Sequence, residues 1–570
     1  MAANFRERWS IWKSRKLEDT ELEAELQAMQ SDEKQMEDCF YKDLEFGTGG
    51  LRGVIGAGTN RMNIYTVAKA SQGYSNYLNA SLAAPSVAIA YDSRIKSDRF
   101  AKAAAEVFAA NGIRVHIFSE LMPTPALSFA VRNLECSGGI VITASHNPAK
   151  YNGYKVYGAD GCQITTEAAK AILTEIGKVD IFSDVRRMAF EEGLRRGIIS
   201  YIGEKTVDAY IDAVSSQSLC SEMIDKNVSI VYTPLNGTGL KCVTRCLEKN
   251  GFTNISVVPE QKRPDGNFPT CPYPNPEIRE ALELGLREAQ KLGSDLLLAT
   301  DPDCDRVGIA VRSGEDYILL SGNEVGLLLL DYICKRRIAL NHMPQRPVLL
   351  KTVVTIDMAK RIAADYGVEV IDVLTGFKFI GEQIGLLERQ GETDRFILGF
   401  EESYGYLTGS YVRDKDGVNA SLMICEMFAY YRSRGLSLPE VLDSLYKKYG
   451  YCLTTQHSYL FEGAAGFKRM QEIMGKLREQ RQDKWLGHRV LAVSDFKDSV
   501  TRFEDGRLET INLPKSNVLK YAMEGDLTLV VRPSGTEPKI KVYFSVSAES
   551  RAAAEELEQR LAHEVEAWMQ

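Results

Sequence analysis

The chain has 570 residues, 44% hydrophobic and 26% charged, with a net charge of −8. That length exceeds what one hydrophobic core serves and predicts about three to four domains, while the acidic balance excludes general affinity for a phosphate backbone, so nucleic acid is not an expected partner. The 11 cysteines form no CxxC pair or zinc-spaced cluster, the N-terminus has no apolar leader, and no run reaches membrane-span length; these features predict reduced thiols, a cytoplasmic location and no membrane partner.

Residues 1–40 are charged with helical spacing and read as an N-terminal helical extension. A repeating order follows. "SVAIAYD" is a strand, "SDRFAKAAAEVFAANG" a helix, and "RVHIF" and "GGIVITAS" are strands. A second round runs from "VSIVYTP" to "DLLLATD", and a third from "PVLLKTVVT" to "RFILGFEES". Continuous apolar strands alternating with amphipathic helices predict largely parallel or mixed sheets with helices on both faces. From about residue 460 the pattern changes to a helix, the strands "RVLAVSDF", "LTLVVRP" and "KIKVYFSVS", and a last helix after Ser550. Leu557, Leu561, Val565 and Trp568 share one face of that helix, which reads as core packing. The expected fold is α/β: three related α/β domains plus a C-terminal α+β domain around a central cleft. The expected partition is 1–205 with the "TASHNP" loop, 206–325 with the "DPDCDR" loop, 326–455 with the "GFEESYG" loop, and 456–570 with the "RPSGTEP" loop.

Ligands in open α/β sheets bind beyond the carboxyl ends of the strands, and four polar loops follow such strands here. "DPDCDR" sets Asp301, Asp303 and Asp305 at alternate positions, able to converge on one hard cation. A calcium EF-hand is excluded, because Arg306 and Arg312 stand where that loop needs Gly and Glu. "RPSGTEPKIK" offers Arg532, Ser534, Gly535, Thr536 and Lys541, a donor set suited to a phosphate dianion, or alternatively a plain hairpin turn. "GFEESYG" places Glu401 and Ser403 where they can accept from and donate to sugar hydroxyls. "FGTGGLRG" carries Arg52 but lacks the dinucleotide fingerprint, and no P-loop is present. "TASHNP" presents Ser145 and His146 where strand meets loop. The GxSxG elbow is absent, and in extended chain the two side chains point to opposite faces, a poor nucleophile–base pair. Lys155 follows in "NGYKVYG", where it can carry a proton or clamp charge.

Taken in order and at their separations, "TASHNP", "DPDCDRVG", "GFEESYG" and "RPSGTEPKIKVY" resemble the α-D-phosphohexomutase superfamily. With "FGTGGLRG" and "TGFKFIG", the chain most resembles its type 2 phosphoglucomutase/phosphopentomutase branch. The resemblance implies that Ser145 carries a phosphoryl group and, with Asp301, Asp303 and Asp305, holds Mg²⁺. It implies acid/base work for Lys155, phosphoryl contacts for Arg52 and Arg306, and a sugar side lined by Thr375, Gly376, Glu401, Ser403 and Lys415. Arg532, Ser534, Gly535, Thr536 and Lys541 would bind the resting phosphate, with His146 in a supporting catalytic place. Phe400 departs from the commoner "GEESFG" loop, which leaves the sugar open. The implied reaction interconverts glucose 1-phosphate and glucose 6-phosphate, with glucose 1,6-bisphosphate as intermediate and activator. Phosphopentomutase, phosphomannomutase and glucose 1,6-bisphosphate synthase stand as alternatives, beside a metal-dependent phosphatase and an inactive sugar-phosphate sensor. The implied partner is a small phosphosugar, and the sequence carries no signal for oligomeric state.

Overall fold

The computed structural model describes residues 4–47, 49–220, 224–461, 463–480, 482–534 and 539–569. The chain divides into two units. The first comprises Met1–Ser321, Ile380–Phe396 and Ser403–Ala429, and the second Gly322–Phe379, Ile397–Glu402 and Tyr430–Gln570.

The first unit opens with the helices Phe5–Lys13, Thr20–Ala28 and Glu33–Phe40. Asn4, Asp19 and Asp32 accept backbone N–H groups at their first turns, satisfying donors that a helix leaves free. Trp12, Leu22, Leu26, Met36 and Phe40 are buried together, with Phe182 and Tyr65 against the Trp12 ring.

Behind this extension lies a six-stranded sheet in the order Gly50–Val54, Tyr151–Gly158, Gly138–Ile142, Ser86–Tyr91, Arg114–Phe118, Ile199–Ile202. The last four run parallel, and their apolar side chains (Val87, Ile89, Val115, Ile140) are wholly buried. Tyr151–Gly158 and Gly50–Val54 add antiparallel. A second sheet repeats the plan: Ile230–Thr233, Ile255–Val257 and Leu296–Thr300 are parallel, and Val307–Ser313 and Asp316–Leu320 return antiparallel. The antiparallel additions are absent from the sequence reading. Segments such as "GLRGV" and "NGYKVYG" mix glycine and charge with apolar residues, so they lack the unbroken apolar run of the central strands.

In the second unit Val348–Thr352 lies between Glu369–Val373, its parallel partner, and Phe396–Phe400. The C-terminal sheet is antiparallel and carries the helices Gly463–Glu479 and Arg551–Met569. Leu561 and Val565 are buried in its core and Leu557 and Trp568 pack at the edge, as the helical spacing predicts. Val353, Val354 and Leu374 join Phe496, Val518, Val530 and Tyr543 in one apolar cluster. Three α/β regions and a C-terminal α+β region are therefore present. Among the described residues no helix is long and apolar enough to cross a membrane.

Candidate active site

Strands that end together bring distant loops together. The strand Gly138–Ile142 delivers Ser145, and Leu296–Thr300 delivers Asp301. Ser145 is buried and left-handed, with φ +52°, a conformation that costs a non-glycine residue about 1–2 kcal/mol. Its N–H donates to Thr143 Oγ1 at 2.8 Å and its Oγ donates to Asp301 Oδ2 at 3.0 Å. The bend also brings Ser145 Oγ to 3.1 Å from His146 Nδ1. The opposite-face expectation for this pair fails because the backbone is not extended.

Asp301, Asp303 and Asp305 are fully buried and offer oxygens within 4.8 Å of one another, enough to hold a divalent cation. Asp301 Oδ1 accepts the N–H groups of Asp305 (3.1 Å) and Arg306 (3.0 Å), which folds the loop around its first carboxylate. Thr124 donates to Asp303 Oδ2 at 2.9 Å. Among the described residues, Asp303 Oδ1 and Asp305 Oδ1 are buried without a hydrogen-bond partner, so the donor set fits a hard metal ion. Burial, then Asp305 and Asp303, push the Asp301 carboxyl well above the ordinary range. Burial also raises Asp303, but Lys155 and Lys415 outweigh it and hold that group below its usual value.

Lys155 comes in on the strand Tyr151–Gly158, with Nζ 2.8 Å from Asp303 Oδ2 and 3.4 Å from Asp305 Oδ2. Burial opposes its charge, but the two carboxylates prevail and the ammonium is held above the ordinary lysine value. Lys415, expected on the sugar side, lies 2.7 Å from Asp305 Oδ2. It is placed there by the turn before the helix Gly417–Arg432, whose first N–H donates to Cys304 O at 3.1 Å. Burial, then Arg306 and Arg52, hold His146 well below the ordinary histidine range, so it is neutral at pH 7. Arg52 also donates to Asn147 Oδ1 at 3.4 Å, and Arg306 pairs with Glu277. Ser145, His146, Lys155, Arg52, Arg306, the three aspartates and Lys415 therefore form one cluster in the first unit.

The remaining expected residues are divided between the units. Ser403 belongs to the first unit and Glu401 to the second. Glu401 is buried and accepts the Gly376 N–H at 2.9 Å. Beside it, Thr375 Oγ1 is buried without a hydrogen-bond partner among the described residues. Arg532 lies beside the Tyr543 hydroxyl, which also feels Glu402 and Glu401. Arg532 and Lys541 sit directly opposite on paired strands, and the Ser534 N–H donates to Lys539 O at 2.8 Å to close the hairpin. Gly535 and Thr536 lie outside the described residues. The sequence reading missed Thr124, which carries no motif, and Asp92 and Arg94, whose signal was "YDSR" at a strand end.

Models of the phosphoglucomutase/phosphomannomutase α/β/α domains I, II and III match residues 43–181, 208–314 and 321–449, and the C-terminal domain model matches 490–564. A phosphoglucomutase of Staphylococcus saprophyticus is 36% identical over 515 residues, 89% of this chain and 91% of that protein. The chain belongs to the phosphoglucomutase/phosphomannomutase family. A Staphylococcus aureus phosphoglucomutase is likewise 36% identical to this family member, covering 91% of this chain and 92% of its own. A crystal structure of a Paramecium phosphoglucomutase, parafusin, in an open form shares the fold with a TM-score of 0.66 at 18% identity, covering 93% of this chain and 96% of its own. As a member, the chain is a mutase, a phosphoryl-transfer enzyme whose substrate is a small sugar phosphate.

Proposed function

We propose that the chain is a cytoplasmic phosphoglucomutase that interconverts glucose 1-phosphate and glucose 6-phosphate through a phosphoserine at Ser145 and a glucose 1,6-bisphosphate intermediate. The observation that carries this reading is Ser145 Oγ at 3.0 Å from Asp301 in a buried loop of three carboxylates faced by Lys155. The relatives named phosphoglucomutase support the choice of glucose. Asp301, Asp303 and Asp305, with the Ser145 phosphate, would hold Mg²⁺, which neutralises charge on the transferring phosphoryl group. We retain the expected four-part division at residues 205, 325 and 455.

In the proposed cycle the P–O bond to Ser145 breaks as one forms to the free sugar hydroxyl, which loses its proton, and the serine oxygen gains one. The intermediate then turns, and its other phosphate returns to Ser145 with the reverse proton exchange. Phosphoryl transfer depends on positioning and charge neutralisation. Neutral His146, 3.1 Å from Oγ, takes the serine proton when Ser145 attacks and passes it on to the Lys155 amine. Cationic Lys155 offsets charge, gives its proton to the departing oxygen and, as the amine so formed, takes the proton that the attacking hydroxyl loses, with Arg52 and Arg306 on the phosphoryl group. Thr375, Gly376, Glu401 and Ser403 contact the sugar, while Arg532, Ser534, Gly535, Thr536 and Lys541 take the resting phosphate. Lys415 joins the sugar side from beside Asp305.

Coupled assays on glucose, mannose and ribose 1-phosphates, with and without added bisphosphate, test the substrate. Glucose 1-phosphate is expected to turn over fastest. Absence of turnover on all three overturns the reading. Mass spectrometry is expected to find a phosphate adduct on Ser145, absent in an inactive Ser145→Ala. Full activity in that variant removes the phosphoserine.

A further inference from the structure

Arg94 is almost wholly buried and makes no contact that the motifs foresee. One guanidinium nitrogen donates to Pro148 O and Tyr151 O, both at 3.0 Å, and the other to Ser145 O and Asn147 O. Its Nε lies 3.3 Å from Asp92 Oδ2, both side chains being fully excluded from water. Asp92 is fixed in turn by the Arg94 N–H (2.9 Å) and by Ser97 Oγ (2.7 Å). The guanidinium lies over the Phe268 ring, 5.1 Å from its centroid. There Gly266 approaches so closely that a Cβ would fall 2.4 Å from Ile95 N and 2.7 Å from the Arg94 carbonyl carbon. The loop carrying Ser145 thus wraps around one planar cation that is anchored to the segment between the strands Ile255–Val257 and Leu296–Thr300.

Four carbonyls converging on one guanidinium fix their peptide planes. Ammonium has three donors and no plane, so lysine cannot reproduce the set. Release of the Ser145 carbonyl lets the residue leave its φ of +52° for an ordinary value. That rotation turns Oγ away from Asp301 and His146. We propose that Arg94 is a positioning residue that holds the Ser145 loop in its reactive shape, a role that rests on the reading of Ser145 as phosphate carrier.

The test uses Arg94→Lys and Arg94→Ala in the full-length enzyme. Misplacement of a reacting group by about 1 Å costs on the order of 10²-fold. Arg94→Lys is therefore expected to lose about 10²-fold in kcat with KM nearly unchanged, faster amide exchange over 143–151, and an unfolding temperature close to wild type. Millimolar guanidinium is expected to restore part of the activity of Arg94→Ala. Retained kcat, a rise in KM in place of the fall in kcat, unchanged exchange, failure of guanidinium rescue, or a loss that tracks the unfolded fraction overturns the assignment. Failure of both variants to fold also overturns it, in favour of a purely structural role. Wild-type turnover is the control. If wild type turns over no sugar phosphate, the functional reading falls, and the exchange measurement still decides what Arg94 holds.

Discussion

Lys155 separates two kinds of help a cation gives to phosphoryl transfer. Its ammonium is held above the ordinary value by Asp303 and Asp305 against the effect of burial, so at pH 7 its resting form is the acid. Lys155→Met is expected to lose about 10²- to 10⁴-fold in kcat, the range of general acid–base contributions. Lys155→Arg keeps the charge but cannot release a proton, and it is expected to stay near the methionine variant in steady-state kcat. Recovery by arginine to near wild type would show a charge clamp only. At this scale the clustering was legible: the motifs carrying Ser145, the three spaced aspartates, Lys155 and Arg52 are brought together as their order suggested. The Ser145–His146 contact was not, because it depends on a positive φ that no neighbouring glycine signals. Nor was the role of Arg94: "YDSR" marks it and its partner Asp92, but the four carbonyls it holds carry no side-chain pattern.

An element places a site by where it starts as much as by what it carries. The helix Gly417–Arg432 begins against the aspartate loop, and a Cβ at Gly417 would lie 2.5 Å from the Cys304 carbonyl oxygen and 3.2 Å from its sulfur. Cys304 is itself left-handed, with φ +53°, between Asp303 and Asp305. Gly417→Ala must therefore push the loop and its carboxylates. Residues that orient metal ligands typically contribute 10- to 100-fold in affinity, and Gly417→Ala is expected to weaken divalent-metal binding by about 10-fold in calorimetric titration. Unchanged affinity would mean that the helix start yields and the loop stays. Central strands were legible as apolar runs, and helices by their periodicity. The antiparallel strands Gly50–Val54 and Tyr151–Gly158 were not, since register supplies their identity: Gly50 pairs with Lys155 and Arg52 with Gly153. That pairing brings Arg52 to the site, which spacing along the chain does not reveal.

At the scale of the molecule, the order of α/β rounds followed by a different tail was readable because each round repeats a strand–helix alternation. The electrostatic tie between the third α/β region and the C-terminal sheet was not readable, because its members are scattered. Lys351, fully buried, lies 2.9 Å from Asp357 Oδ1 and 3.0 Å from Asp372 Oδ1. Lys360 lies 3.1 Å from Asp357 and 2.6 Å from Asp372, and Lys520, from the C-terminal sheet, 3.2 Å from Asp357. Three cations thus share two carboxylates. Burial, joined by repulsion from Lys351 and Lys360, leaves Lys520 below the ordinary lysine value, although Asp357 opposes the shift. Lys520 is therefore less favourably charged than Lys360, which Asp357 and Asp372 hold above the ordinary lysine value against burial, and Lys520→Met is expected to be close to neutral in stability. Lys351→Met strips the central, buried cation from two half-buried carboxylates and is expected to cost about 1 to 3 kcal/mol, read as a fall in calorimetric unfolding temperature. Burial raises Asp357, but Lys351, Lys520 and Lys360 overcome it and hold the carboxyl below its usual value. Asp372 is lowered by the same contest, with Lys351 and Lys360 prevailing. A carboxyl depressed on folding stabilises fully above its unfolded value, about 4, and that stability is lost as pH falls through the folded value. The second unit is therefore expected to destabilise steeply below about pH 4. Asp357→Asn is expected to be less stable than wild type at pH 7 and to show a flatter acid limb. An acid limb identical to wild type would assign the acid sensitivity to other carboxylates.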